Sequence, residues 1–145
     1  MNNKRYSELC ARSNERGEKG DCAVKAVAIA LDLSYDEAHT LCAEYGRKPR
    51  DGMMSVSIHA AIRSRGAELR RVNVTAPTVR ALQRMLPNEG VFIAHIADHI
   101  LSIKDGLVQD WSRGRLGRIM SVYEVIPKNR KKEAVKRIGG MYTKF

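Results

Sequence analysis

The chain has 145 residues, enough for one domain whose hydrophobic core needs no disulfide or metal to fold. Its 26 lysines and arginines outnumber its 16 aspartates and glutamates, which gives a formal net charge of +10. Such a charge favours contact with nucleic acid or acidic proteins but does not determine the fold. The sequence has no apolar run of the roughly 20 residues that span a bilayer and no secretory signal, so we expect a cytoplasmic protein without a transmembrane segment.

The helical part of the chain comes first. Helices are predicted at residues 6–11, 22–31, 34–45, 55–65 and 77–86. Ser34 and Glu37 have the spacing of a capping box, and Gly46 suits the end of that helix. On the helix over 55–65, the apolar spacing predicts that Val56, His59 and Ile62 point inward.

Short strands follow the helices. They are predicted at residues 68–74, 91–96, 99–104, 107–111 and 119–126, where β-branched residues alternate with turn residues. Helices followed by antiparallel strands indicate an α+β fold. We therefore expect a single domain over residues 1–126 and a basic tail over residues 127–145.

Cysteine usage suggests one reactive thiol. The three cysteines, Cys10, Cys22 and Cys42, are an odd number without C-x-x-C spacing, which argues against a disulfide framework and a zinc knuckle. We also expect no cofactor. Cys42 falls on the apolar side of a predicted helix, so we expect it to be a core residue. Cys22 instead ends a polar loop and opens the apolar run 23–31. There, unpaired backbone N–H groups and the helix dipole favour the thiolate, the nucleophilic form of cysteine.

A hairpin supplies two partners for this thiol. Asp105 and Gly106 suit a two-residue turn, because both central residues of a type I′ turn need positive φ. Counting outward from that turn places His99 and Asp110 on one side of the hairpin, with Cα atoms about 7–8 Å apart. The same register places Trp111 on the opposite side, where we expect it to pack in the core.

These residues form a candidate catalytic triad. Cys22 is the predicted nucleophile, His99 the general base and acid, and Asp110 the carboxylate that orients the imidazole. The backbone N–H of Cys22 is expected to contribute to an oxyanion hole. His95 is the competing histidine, but a turn at residues 97–98 would separate it from Asp110, so a structural role is expected for it.

Three windows carry a resemblance to a known family: Gly20-Asp21-Cys22-Ala23, residues 93–103, and Asp105-Gly106 with Asp110-Trp111. They resemble papain-like cysteine peptidases, most closely the C39-like, bacteriocin-processing branch, over residues 20–126. The resemblance implies N-terminal helices with a buried central helix that bears the cysteine, followed by an antiparallel sheet. The family's glutamine, six residues before the cysteine, falls on Arg16 here, which leaves Asn14 as the candidate oxyanion donor. Ala23 stands where the C39 branch has glycine.

Three functions stay open at this point. The first is a papain-like hydrolase, most simply a peptidase acting on a protein or peptide through a thioester. The second keeps the triad but performs deamidation or acyl transfer. The third is a non-catalytic scaffold whose basic surface binds nucleic acid or an acidic protein. Specificity is expected from the loops over residues 47–54 and 112–118, which flank the site.

Overall fold

The computed structural model describes residues 4–111 and 117–127, and these residues form five helices and five strands. The helices are α1 (Lys4–Glu15), α2 (Cys22–Leu31), α3 (Tyr35–Glu44), α4 (Ser55–Ser64) and α5 (Val79–Met85). The strands are β1 (Glu68–Arg71), β2 (Val91–Ile96), β3 (His99–Lys104), β4 (Leu107–Gln109) and β5 (Ile119–Ile126). The predicted α+β class is confirmed. Apart from Pro127, the basic tail lies outside the described residues.

The five strands form one antiparallel sheet in the order β1-β5-β2-β3-β4. The β3–β4 connection is the predicted two-residue turn. Asp105 and Gly106 have φ values of 51° and 82°, and Lys104 pairs with Leu107. A Cβ at Gly106 would lie 2.8 Å from the side chain of Asn88, so close packing adds to the requirement for glycine there. The turn fixes the register that brings the end of β4 back to the start of β3.

Two hydrophobic clusters cover the two faces of the sheet. One cluster joins the helices α1–α4 to the sheet, and the other joins α5 to the opposite face. Helix α2 is buried along most of its length, as its nearly continuous apolar sequence predicts. Ser102 on β3 donates a hydrogen bond of 2.8 Å from its Oγ atom to the carbonyl oxygen of Ala26 on α2. This bond joins β3 to the middle of α2 and sets the cysteine-bearing helix on the histidine-bearing strand.

Two expected orientations are wrong. Val56 is 68% exposed, because the core-facing stripe of α4 is Ile58, Ala61 and Ile62 instead. Trp111 is 58% exposed rather than buried, because β4 ends at Gln109 and the alternation of a paired strand no longer fixes the residues that follow it.

Candidate active site

The candidate nucleophile is the first residue of α2. It follows Asp21, whose buried carboxylate accepts hydrogen bonds from Ser13 Oγ at 2.6 Å and from Tyr35 Oη at 2.7 Å. Lys25 Nζ lies 3.2 Å from the other carboxylate oxygen. Because Ser13 belongs to α1 and Tyr35 to α3, Asp21 ties both helices to the start of α2. The position of Cys22 is therefore fixed by contacts with two neighbouring helices.

A second polar cluster holds the loop that leads to Cys22. Arg47 donates to both carboxylate oxygens of Glu18, at 3.1 and 2.9 Å, and both side chains are buried. His39 Nε2 lies 2.6 Å from the same carboxylate, and the Arg50 N–H donates to it at 2.9 Å. The hydrogen bond from Arg47 is the main cause of a Glu18 pKa far below the usual range. This pairing fixes the loop between α1 and α2 against the loop after α3.

The structure brings the three predicted site residues together. His99 opens β3 and Asp110 follows β4, and His99 Nε2 lies 2.8 Å from Asp110 Oδ2. The side chains of His99 and Cys22 are hydrogen-bonded to each other. Since Nε2 is engaged by Asp110, the Nδ1 atom of the same ring is left for the sulfur. The order Cys22–His99–Asp110 is that of a nucleophile, a base and a group that orients the base.

The electrostatics favour a charged pair. Burial raises the pKa of the Cys22 thiol, but hydrogen bonds from His99 and from the backbone N–H of Ile100 outweigh burial and bring it below its ordinary value. Burial lowers the pKa of His99, but its bonds to Asp110 and to Cys22 raise it to about 9. Each group thus favours the charged form of the other, the imidazolium that of the thiolate and the thiolate that of the imidazolium.

The thiol opens into a cleft of about 620 Å³, lined by Cys22, Gly52, Met53, Met54, Ile58, His59, His95, Asp98, His99, Met120 and Tyr123 among others. The predicted loop over 47–54 contributes Gly52, Met53 and Met54 to this lining. Most of the second predicted loop, residues 112–116, lies outside the described residues. Asn14 lies on the exposed side of α1 and is not among the described residues that line the cleft, so the structure does not bring it to the site.

His95 lines the cleft and bonds to another histidine. Its Nε2 atom is 2.9 Å from Nε2 of His59 on α4. Burial and the neighbouring His95 lower the pKa of His59 to about 4, and burial lowers that of His95 as well. The sequence did not point to this pair, because nothing local links residues 36 positions apart.

Sequence reasoning also missed two aromatic side chains beside the triad. The Trp111 ring lies 5.3 Å from the His99 ring, centroid to centroid. Tyr6 of α1 is buried, and its hydroxyl accepts a hydrogen bond from the Trp111 backbone N–H. Burial, and then the charge of Asp110, raise the pKa of Tyr6. Lys25 Nζ lies 5.7 Å from the Tyr6 ring, so Tyr6 spans the cysteine-bearing helix and the segment that bears Asp110.

Comparison with known proteins gives no relative: no protein-family model, no curated protein and no solved structure matches the chain. Within residues 4–111 and 117–127, no group of three or more His, Cys, Asp or Glu side chains is arranged to hold a metal ion. The helices in those residues are also too short or too polar for any of them to cross a membrane. The geometry of the site is therefore the basis for any statement about function.

Proposed function

We propose that the chain is a papain-like cysteine hydrolase that cleaves amide bonds, most simply a peptidase. One observation carries the proposal: Cys22 begins the buried helix α2 and is hydrogen-bonded to His99, which in turn bonds to Asp110 at 2.8 Å. A thiol paired with an oriented imidazole is the arrangement that activates cysteine for attack on a carbonyl carbon. The helix order and the β3–β4 hairpin agree with the papain-like resemblance of the sequence.

The reaction follows from these positions. The Cys22 thiolate adds to the amide carbonyl carbon, and the oxygen of the tetrahedral intermediate takes the negative charge. The C–N bond then breaks, the leaving amine takes the proton of the His99 imidazolium, and a thioester remains on the sulfur. His99 next takes a proton from water, whose oxygen attacks the thioester and releases a carboxylic acid and the thiolate.

The developing oxyanion needs hydrogen-bond donors at the start of α2. The first N–H groups of a helix have no partner within the helix, and Cys22 is the first residue of α2. We therefore assign the backbone N–H of Cys22 to the oxyanion hole. No role is assigned to Asn14, because it is not among the described residues that line the cleft.

The test is incubation of the purified chain with a mixed peptide library, followed by mass spectrometry. We expect new peptide termini that are absent with Cys22→Ala and present with Cys10→Ala, a control at another partly exposed cysteine. A gain of about 1 Da at glutamine or asparagine without cleavage would favour the deamidase instead, since both reactions share the thioester. The same product from Cys22→Ala as from the unaltered chain would contradict both.

A polyanion-binding function is a second candidate because of where the charge lies. Residues 112–116 and 128–145 hold nine of the 26 basic residues and one of the 16 acidic ones. The described residues, 4–111 and 117–127, therefore have a formal net charge of only +2. Binding of nucleic acid or an acidic protein would then depend mainly on the basic residues of segments 112–116 and 128–145 and would depend steeply on salt.

A further inference from the structure

Exposed apolar side chains concentrate around the candidate site. Four large apolar side chains are strongly exposed among the described residues: Met54, Val56, Trp111 and Met120. Met54, 72% exposed, and Met120, 62% exposed, line the cleft, and Trp111 packs on His99. Singly exposed apolar residues are common on protein surfaces, but a cluster of them beside a cleft marks a surface that a ligand covers.

The floor of the cleft consists of three packed rings. The His59 ring lies 4.6 Å from the Tyr123 ring and 5.1 Å from the His95 ring, and the His95 and Tyr123 rings are 5.8 Å apart. The bond between the two histidines requires one Nε2 to donate and the other to accept, and this suits the neutral forms. The floor is therefore aromatic, and its two histidines are held in their neutral forms.

The charge of the cleft differs from that of the chain. No lysine or arginine is among the described residues that line it, although the chain carries 26 of them. Of the described lining residues, only Asp98, in the turn between β2 and β3, carries a carboxylate. An acidic substrate side chain would lose its hydration here without gaining a lysine or arginine partner from the described residues, and the one cationic ring in the lining, His99, is already bonded to Asp110.

We infer that this cleft is a specificity pocket that receives a bulky, uncharged side chain, apolar or aromatic, next to the amide bond under attack. His59, His95 and Tyr123 form its floor, and Met54 and Met120 form its rim. The volume of about 620 Å³ accommodates such a side chain with its flanking backbone. This inference rests on the proposed hydrolase function and names the class of substrate that the hydrolase selects.

Alkylation of Cys22 by matched reagents tests the pocket without knowledge of the substrate. The reagents are chloroacetamide, its N-benzyl derivative, and benzyl analogues that carry a para carboxylate or a para aminomethyl group. In each case the thiolate displaces chloride and forms a thioether. Trypsin places the three cysteines in separate peptides, spanning residues 6–12, 20–25 and 26–47, so the unaltered chain is used and Cys22 is followed by mass spectrometry.

We define the benzyl ratio as the rate of Cys22 alkylation by the N-benzyl reagent divided by the rate with chloroacetamide. We expect this ratio to be about tenfold or more higher in the folded chain than in the chain unfolded in urea. Both charged analogues lose this advantage. Met54→Glu lowers the benzyl ratio about threefold or more and favours the aminomethyl analogue. Val56→Glu is the matched control, because Val56 is as exposed as Met54 but is not among the residues that line the cleft. We expect Val56→Glu to leave the ratios of alkylation rates among the four reagents unchanged.

Three results would overturn the pocket: a benzyl ratio equal to that in urea, charged analogues that react as fast as the benzyl reagent, or equal effects of Met54→Glu and Val56→Glu. Chloroacetamide alone reports on the thiol. If its rate at Cys22 in the folded chain does not exceed that in urea, the proposed hydrolase function fails, while the benzyl ratio still judges the pocket. The two failures are thereby distinguished.

Discussion

His99 Nε2 lies 2.8 Å from Asp110 Oδ2, although Asp110 stands one residue beyond the last paired residue of β4. The contact therefore depends on the two-residue turn at Asp105 and Gly106, which sets how far the returning chain reaches. Tyr6 adds a second restraint, because it accepts a hydrogen bond from the residue after Asp110. The geometry of the base is thus held by a turn on one side and by the N-terminal helix on the other.

The pH dependence of Cys22 alkylation reports on the ion pair. We expect a midpoint below about 8.5, the value of an ordinary thiol, because hydrogen bonds from His99 and the Ile100 N–H stabilise the thiolate. His99→Gln moves the midpoint upward, since burial, which raises the pKa of Cys22, is then less strongly opposed. Iodoacetamide labelling of the tryptic peptide 20–25 across pH measures both.

Cys42 serves as the internal control in the same digest. It is buried, and burial raises the pKa of its thiol to about 11. Cys42 should therefore stay unlabelled at pH values where Cys22 reacts. A Cys22 midpoint at or above that of a cysteine in an unfolded peptide, and unchanged by His99→Gln, contradicts the ion pair.

Asp110→Asn tests the orientation of the imidazole. The hydrogen bond that His99 donates to Asp110 is the largest influence that raises the pKa of His99 to about 9, so His99 should titrate at a lower pH in the variant. Turnover of a cleaved peptide should fall by about 10²–10⁴-fold, because the base loses its orienting charge. Nitrogen-15 NMR of the imidazole follows the titration. An unchanged His99 titration would show that Asp110 does not set the charge of the ring.

Tyr6→Phe separates positioning of the site from simple stability. The variant loses the hydrogen bond to the Trp111 N–H, and we expect the alkylation midpoint of Cys22 to rise and turnover to fall. The free energy of unfolding should fall by about 0.5–1.5 kcal/mol. Tyr45→Phe, a partly buried tyrosine at the end of α3, is the control that leaves the midpoint in place. If Tyr6→Phe lowers stability without any shift of the midpoint, its role is structural only.

Glu18→Gln tests the buried pair with Arg47. The neutral amide leaves the guanidinium buried without a charge partner, so unfolding should become easier by about 3–5 kcal/mol at pH 7. The pKa of Glu18 is lower in the folded chain than the ordinary value of 4.5, so the carboxylate stabilises the fold above that pH. The difference between variant and unaltered chain should therefore shrink as the pH falls below 4.5. Urea unfolding at several pH values measures it.

Glu15→Gln is the matched control for that experiment. Glu15 pairs with Arg12 at 3.3 Å, but both side chains are exposed. Exposed pairs contribute about 0–1 kcal/mol, so the stability should change little at any pH. Equal decreases in the free energy of unfolding in the two variants would show that burial does not increase the contribution of the Glu18–Arg47 pair to stability.

Deletion of residues 128–145 tests the polyanion function. The deletion removes seven of the 26 lysines and arginines and only one acidic residue. We expect retention on heparin at low salt to be lost or to weaken strongly, and the dependence on salt to become shallower. Cys22→Ala should be retained like the unaltered chain. Full retention after the deletion would place the polyanion contact elsewhere.

The elements that could be predicted are those with a local signal. The bounds 91–96, 99–104 and 119–126 agree with β2, β3 and β5, because β-branched runs there end at turn residues. The start of α2 at Cys22 and the capping box of Ser34 and Glu37 are also observed. The contact between His99 and Asp110 was predictable because a single short turn separates them.

The parts that could not be predicted depend on distant residues. The Arg47–Glu18 pair spans 29 positions and the His59–His95 pair spans 36, and neither leaves a periodic pattern. Helix α1 is longer than expected, because its polar sequence hides a narrow buried stripe of Tyr6, Leu9 and Ser13. The predicted orientation of Trp111 was wrong because strand pairing ends at Gln109, before this residue.

The separation of Cys22 from its activating partners has a consequence for biosynthesis. The thiol emerges from the ribosome before its partners, because His99 and Asp110 follow 77 and 88 residues later. Until the hairpin docks on α2, the sulfur is an ordinary thiol with a pKa of about 8.5 and little thiolate at neutral pH. Such long-range contacts form late in folding. On the proposed function, the thiol of a nascent chain is therefore unreactive, and the activated thiolate forms only when the cleft around it is also complete.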